Sequence, residues 1–209
     1  MAYGESAMKM KKLLKSEHLQ HRFAIAAILT SVAIFMVLTP FSLSSPEPDA
    51  LAAAKAALER GKAHYGKSEW KEALAAFEKA ARGFEAAGDK KEAAAALGSA
   101  GMVSGYLGEY GRALSLLERS LAIYKETGGK KGAAFAFNSM GVVHANTGDY
   151  GKALDFFERS LAIREETGDR KGVADSLNNI GSIHYGLGDY RKALGFWERS
   201  LSKMAEMGD

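Results

Sequence analysis

Aromatic residues at Trp70, Tyr110, Tyr150 and Tyr190 each follow a short polar turn and open a helical pattern, at intervals of 40 residues. A register of that kind obliges the chain to build one supersecondary unit four times over. Gly61, Gly101, Gly141 and Gly181 keep the same spacing. So do Ala73, Ala113, Ala153 and Ala193, each followed four residues later by Phe77, Leu117, Phe157 or Trp197. Residues 148–161 and 188–201 are close to copies, as a duplication would leave them. Stacked units make an extended surface rather than a catalytic cavity, so recognition is expected ahead of chemistry.

The last unit shows why each is a pair of helices. Leu177, Ile180, Gly181 and His184 fall at spacings of three and four, one stripe of a helix from about Arg170 to Gly186. Gly188 and Asp189 interrupt it. Tyr190, Ala193, Leu194, Trp197, Leu201 and Met204 then form a second stripe that ends near Gly208, where earlier units carry Gly88, Gly128 and Gly168. Gly181 and Ala193 lack the bulk that would hold the helices apart, which predicts that Trp197 and Tyr190 fill the space between them. No proline lies beyond position 48 to break a helix. The units run over about 51–89, 90–129, 130–169 and 170–209.

The run Leu177-Asn-Asn-Ile180-Gly181-Ser-Ile-His184, followed by Ala193 and Trp197 four residues apart, resembles the pattern of tetratricopeptide repeat (TPR) proteins. The resemblance covers residues 51–209. It implies an all-α solenoid of four helix-turn-helix repeats, with first helices lining a concave face and second helices forming a convex back. Two departures stand out: the period is 40 rather than the usual ~34, and the usual proline gives way to Lys125, Arg164 or other helix formers. The second helix is therefore expected to run longer, as in the subgroup that includes kinesin light chains and the polarity adaptors of cell division. HEAT-type repeats share a period near 40 but do not account for the Gly-Asp-Tyr turn. The first unit is degenerate, with Arg60 where an apolar residue belongs, which suits a terminal unit facing solvent.

In such an array the residues opposite the packed stripe of each first helix face the groove. At about 100° per residue these are Met102 and Tyr106 in the second unit, Phe135, Asn138, Val142 and Asn146 in the third, and Asp175, Asn178, Ser182 and Tyr185 in the fourth. They are the candidate partner-binding residues. Asn138 and Asn178 occupy equivalent positions, and an asparagine offers a peptide backbone a donor and an acceptor together. In the longer-repeat relatives such asparagines look like a ladder gripping an extended segment. Gly98 and Leu58 break that ladder upstream, and an ordinary polar surface is the other reading.

The first fifty residues carry a separate signal. Lys9, Lys11, Lys12, Lys15 and Arg22 precede an uncharged run over 23–39 that extends to Leu43 as apolar or small residues. As helix this spans roughly 25 to 31 Å, about one hydrocarbon core. The expected organisation is a basic segment (1–22), a transmembrane helix or signal h-region (23–43), a proline-rich linker (44–50) and the array (51–209). The length favours an uncleaved anchor; small residues at Ser42 and Ser44 keep signal cleavage and secretion open. Cations before the span and Glu47 and Asp49 after it place the N-terminus in the cytoplasm and the array outside.

Chemistry finds little support in the residues. Cysteine is absent, which removes disulfides and thiolate metal sites. His64, His144 and His184 are equivalent positions in separate units, and stacked helices about 8 to 10 Å apart are too far for shared zinc bonds of about 2 Å. The glycines of residues 105–111 lack the spacing of a phosphate loop. Glu118-Arg119, Glu158-Arg159 and Glu198-Arg199 read as solvated helix surface. Lysines and arginines number 28 against 25 acids and alternate with them, so no basic stripe for nucleic acid is evident. The expectation is a non-enzymatic, cofactor-free, membrane-tethered adaptor for a protein or peptide. Its alternatives are self-association through the last repeat, where Trp197, Met204 and Met207 are candidates for an exposed edge, and an N-terminal fragment of a longer protein with an effector or catalytic domain.

Overall fold

The computed structural model describes residues 48–208 and, ahead of them, residues 8, 11 and 12. The apolar span at 23–43 lies outside the described residues, as do nearly all of the basic segment and residues 44–47 of the linker. Among the described residues no helix is long and apolar enough to cross a membrane. Eight helices and no strand lie between residues 48 and 208: α1 Pro48–Gly66, α2 Trp70–Ala86, α3 Lys90–Tyr106, α4 Tyr110–Thr127, α5 Lys130–Asn146, α6 Tyr150–Glu166, α7 Arg170–Gly186 and α8 Tyr190–Ala205. The array thus starts inside the expected linker. Pro48 opens α1, a position where the missing N–H would have had no helical partner in any case.

The four aromatic residues of the register each begin a second helix. The turns, however, repeat at half the period. Gly88, Gly108, Gly128, Gly148, Gly168 and Gly188 all have φ between 67° and 81°, and Ser68 at 59° takes the same place in the first hairpin. Left-handed backbone there lets the chain end one helix and start the next within three residues. The turn after α5 shows the mechanism. The Gly148 N–H donates to the Ala145 carbonyl at 3.1 Å and the Asp149 N–H to the His144 carbonyl at 2.9 Å, which satisfies two carbonyls at the helix end. The Asp149 side chain then accepts from the Lys152 N–H at 3.2 Å and caps α6. One residue closes a helix with its backbone and opens the next with its carboxylate.

Within each hairpin the contact is a bulky side chain seated on a glycine. A Cβ added at Gly61 would lie 2.6 Å from the Phe77 ring, at Gly101 2.7 Å from Leu117, at Gly141 2.6 Å from Phe157 and at Gly181 2.7 Å from Trp197. Phe77, Leu117 and Phe157 are buried, and Ala73, Ala113, Ala153 and Ala193 are fully so. Tyr190 departs from expectation. Its side chain is 64% exposed and does not fill the space between α7 and α8, whereas Tyr110 and Tyr150 pack partly into the cores of their hairpins. Each of those has a following hairpin beside it, and α8 has none among the described residues.

A second buried contact locks the last three pairs. Ser120, Ser160 and Ser200 donate to the carbonyls of Ala94, Ala134 and Ala174 at 2.7, 2.8 and 2.8 Å. Successive hairpins meet chiefly where the second helix of one packs on the first helix of the next, α2 on α3, α4 on α5 and α6 on α7, and the first helices also touch, α3 with α5 and α5 with α7. First helices rich in alanine and glycine therefore form the inner side, and second helices carrying Phe, Leu and Trp the outer.

Gly141→Ala should destabilise the array by about 1 to 3 kcal/mol through overpacking against the Phe157 ring, an effect that Phe157→Leu relieves in the double variant. Gly151→Ala, whose added Cβ would meet only Asp149 Oδ1 at 3.9 Å, should instead stabilise by roughly 0.5 to 1 kcal/mol. Urea unfolding of the three variants and the double variant measures both signs.

Candidate functional site

The inner helices carry the candidate residues, and the structure divides them into two groups. Met102 and Tyr106 on α3 and Phe135, Asn138 and Val142 on α5 converge on one cleft of about 70 Å³, completed by Gly105, Ser139 and Val143. The helices come together there because α3 has glycine where a side chain would intrude. A Cβ at Gly98 would stand 3.3 Å from the Phe135 ring, and one at Gly105 3.4 Å from Val143 Cγ2. Four apolar or aromatic walls and one amide make a pocket suited to an apolar side chain with a polar backbone beside it.

Asn138 is held in place by a residue that sequence reasoning did not single out. Its Oδ1 accepts from Asn179 Nδ2 on α7 at 3.0 Å. The bond takes one of the oxygen's two lone pairs, fixes the plane of the amide and leaves Nδ2 without a partner among the described residues, so Asn138 presents a donor to whatever enters the groove. Asn178, at the equivalent position, is exposed, and its backbone carbonyl accepts from Ser182 Oγ at 3.0 Å and Trp197 Nε1 at 3.3 Å. The expected pair of equal rungs is therefore one braced amide and one free amide. The signal for Asn179 was present in the Asn178-Asn179 doublet, where only the first asparagine matches the groove stripe.

Asn146, Asp175, Asn178, Ser182 and Tyr185 lie outside the cleft, all exposed. Tyr185 packs edge-on to Tyr190 at 5.3 Å and against Trp197 at 5.8 Å. A matching aromatic group, also unforeseen, stands at the other end of the array. Trp70 lies 5.5 Å from Tyr65 and 5.1 Å from Tyr106 between ring centroids. Burial, and then a hydrogen bond with Tyr65, pushes the Tyr106 phenol up to about 12.

The histidines each keep to their own hairpin. His144 stacks on Phe156 at 5.3 Å with Nδ1 3.9 Å from Asp149, and His184 stacks on Phe196 at 5.4 Å with Nδ1 3.4 Å from Asp189. Asp149 and Asp189 are held below the usual carboxylate range, by Lys152 and Lys192 first and by the histidines second. A larger cavity, about 330 Å³, lies away from the groove beside Arg164, Arg170 and Lys203. Arg164 occupies the register of Phe84 and Tyr124 and is buried, donating to the Gly172 carbonyl at 2.6 Å and to Ser176 Oγ at 3.1 Å. Burial lowers its pKa, while Asp169 and Asp175 pull the other way. Those bonds account for the guanidinium as a bracket between α6 and α7.

Tyr106 gives this region a spectroscopic handle. A folded-state value of about 12 against 10.0 for a free tyrosine means that the folded chain holds the phenolic proton more tightly than the unfolded chain. The associated stability is intact below pH 10.0 and is lost as pH rises through about 12. An ultraviolet titration should show a late tyrosine step that is missing in Tyr106→Phe.

A family model described as tetratricopeptide repeat matches residues 51–126 and 132–205. No curated protein sequence matches the chain. Among solved structures, BtubC (BKLC) from P. vanneervenii is 21% identical with a TM-score of 0.67, over 80% of this chain and 68% of that one. Aspartyl phosphate phosphatase F from Bacillus subtilis is 16% identical with a TM-score of 0.70, over 76% of this chain and 42% of its own. The Rap conjugation gene regulator of the plasmid pLS20, solved in complex with the Phr* peptide, is 18% identical with a TM-score of 0.67, over 79% and 46%. The chain spans less than half the length of the latter two. Similarity at these identities establishes a shared fold.

Proposed function

Because this chain belongs to the tetratricopeptide repeat family, we propose that it is a non-enzymatic scaffold that holds a protein or peptide partner in the concave groove of its array, tethered to a membrane by residues 23–43. The observation that carries the groove reading is the convergence of Met102, Tyr106, Phe135, Asn138 and Val142 on one cleft, with Asn138 braced to present a donor. Asn146, Asp175, Asn178, Ser182 and Tyr185 extend the same inner surface toward the last repeat. The pLS20 regulator, a relative in fold, is described with a bound peptide, which is consistent with an array of this shape serving a peptide. The phosphatase named among the neighbours shares 16% identity and bears on fold alone.

The tether rests on sequence: five cations precede the apolar run, and two acids come after it. Held by that span, the array stands on the extracytoplasmic side; cleaved after it, the array is released. Sequencing the N-terminus of the mature protein distinguishes the two, and a chain beginning near Ser45 removes the tether.

The groove is tested by crosslinking and pulldown with the full chain in nonionic detergent. Val142→Trp should fill the cleft and abolish capture of the partner. Asn138→Ala should weaken it by about 1 to 2 kcal/mol, roughly 5- to 30-fold in affinity. Capture unchanged by both substitutions removes the groove from consideration.

A second reading, self-association, is favoured by one specific surface. Leu194 and Leu201 on α8 are 56% and 65% exposed, whereas their equivalents Leu154 and Leu161 are partly buried against the core. A second copy packing on α8 would cover them. Light scattering should then show a concentration-dependent increase in mass that Leu201→Glu abolishes; a constant mass rejects this reading.

A further inference from the structure

On its outward face α8 presents a row of side chains that the other second helices keep covered. Tyr190, Leu194, Trp197, Leu201 and Met204 recur at spacings of four and three, the period by which one helix packs along another. Tyr190, Leu194 and Leu201 are exposed and Trp197 and Met204 half-buried. On α6 the equivalent residues Tyr150, Leu154, Phe157, Leu161 and Arg164 are all partly or fully buried, and α7 packs against that helix.

Two charges border the row on its free side. Arg191 and Glu198 are exposed and form no ion pair among the described residues. Two turns apart on one helix, about 10 Å, they cannot reach each other. Gly195 and Ser202, beyond them on that side, carry no charge. The other charges of α8 are engaged, Lys192 with Asp189, Lys203 with Glu206, and Arg199 over the Phe196 ring at 5.3 Å. The opposite border of the row is uncharged. Ala193 and Ser200 are buried there, and Tyr185 of α7 packs against Tyr190 and Trp197. Lys171 and Asp175, further along the α7 stripe, are one turn apart and opposite in sign. Glu198 stands in the register of Glu78, which accepts from Arg112 of the following hairpin at 2.6 Å. A bond from arginine to glutamate between adjacent units is thus already in use at this position.

Resting on the self-association reading above, we propose that α8 packs antiparallel against α8 of a second copy, about a twofold axis near residue 195. Turning one helix end for end brings the charged borders of both rows together, so Arg191 of each copy faces Glu198 of the other and both pairs form at once. A parallel arrangement would set each charged border against the buried Ala193 and Ser200 and leave both charges of each copy unpaired. The same axis sets Tyr190 opposite Leu201, and Leu194 opposite Trp197, of the second copy. Antiparallel helix dipoles add to the preference. The cleft between α3 and α5 stays open, so one assembly carries two grooves.

Sedimentation equilibrium of the full chain in density-matched nonionic detergent tests this, with circular dichroism confirming the helicity of each variant. The parent should form a dimer. Arg191→Glu and Glu198→Arg, each of which sets like charges face to face, should each raise its dissociation constant about tenfold. The exchange Arg191→Glu/Glu198→Arg should return it to within about threefold of the parent. A dimer that Leu201→Glu abolishes but that the single reversals leave unchanged, or that the exchange fails to rescue, overturns the antiparallel arrangement and leaves self-association through α8 standing. A dimer that survives Leu201→Glu, or a monomer at every concentration, overturns that reading and the proposal with it.

Discussion

The distance between the two helices of a hairpin governs everything else in this array, and a glycine sets that distance. Where Phe157 rests on Gly141, its ring occupies the volume that a single methyl group would take. Interiors packed to crystal-like density transmit such a restriction instead of absorbing it. The bulky residue of each second helix is drawn into its partner, the next first helix packs against that second helix, and the small residues of the first helices let them approach one another across repeats. Thick outer helices over thin inner ones give each unit a taper. Stacking tapered units yields a curved inner surface without any residue being devoted to curvature.

The groove inherits its properties from that packing. Gly98 and Gly105 serve the approach of α3 to α5, and the same approach brings Met102, Phe135 and Val142 within reach of one another. Asn138 could not serve as an oriented donor on a lone hairpin, because the partner that fixes its amide belongs to the next one. The site is a property of neighbouring repeats, and it forms only when they stack.

Much of this was legible because the repeat writes the same instruction several times. The glycine slot, the alanine column and the aromatic helix starts could be read from spacing alone, and so could the inner face, which comes from helical periodicity. Spacing could not supply the pairing between units. Asn179 faces sideways from the groove stripe, and its link to Asn138 depends on the angle at which α7 crosses α5. The buried serines escaped notice for another reason: Ser120, Ser160 and Ser200 stand beside Glu-Arg pairs in a stretch that looks solvent-facing, yet each points inward to a carbonyl. Arg164 misleads in the same way, a charged residue in an aromatic column that finds its hydrogen bonds inside. Tyr190 shares the sequence of its equivalents, but its exposure is decided by the neighbouring hairpin that they have beside them and it lacks among the described residues.

The backbone turns once every 20 residues, whereas the side chains repeat every 40. To the main chain, an inner and an outer helix are interchangeable, and only side-chain size tells them apart. Adding a whole hairpin by gene duplication therefore lengthens the array and preserves its handed layering. Adding a single helix with its turn would satisfy every backbone hydrogen bond and still turn all later repeats inside out, exposing their rings and burying their lysines. Growth in even steps is imposed by the packing.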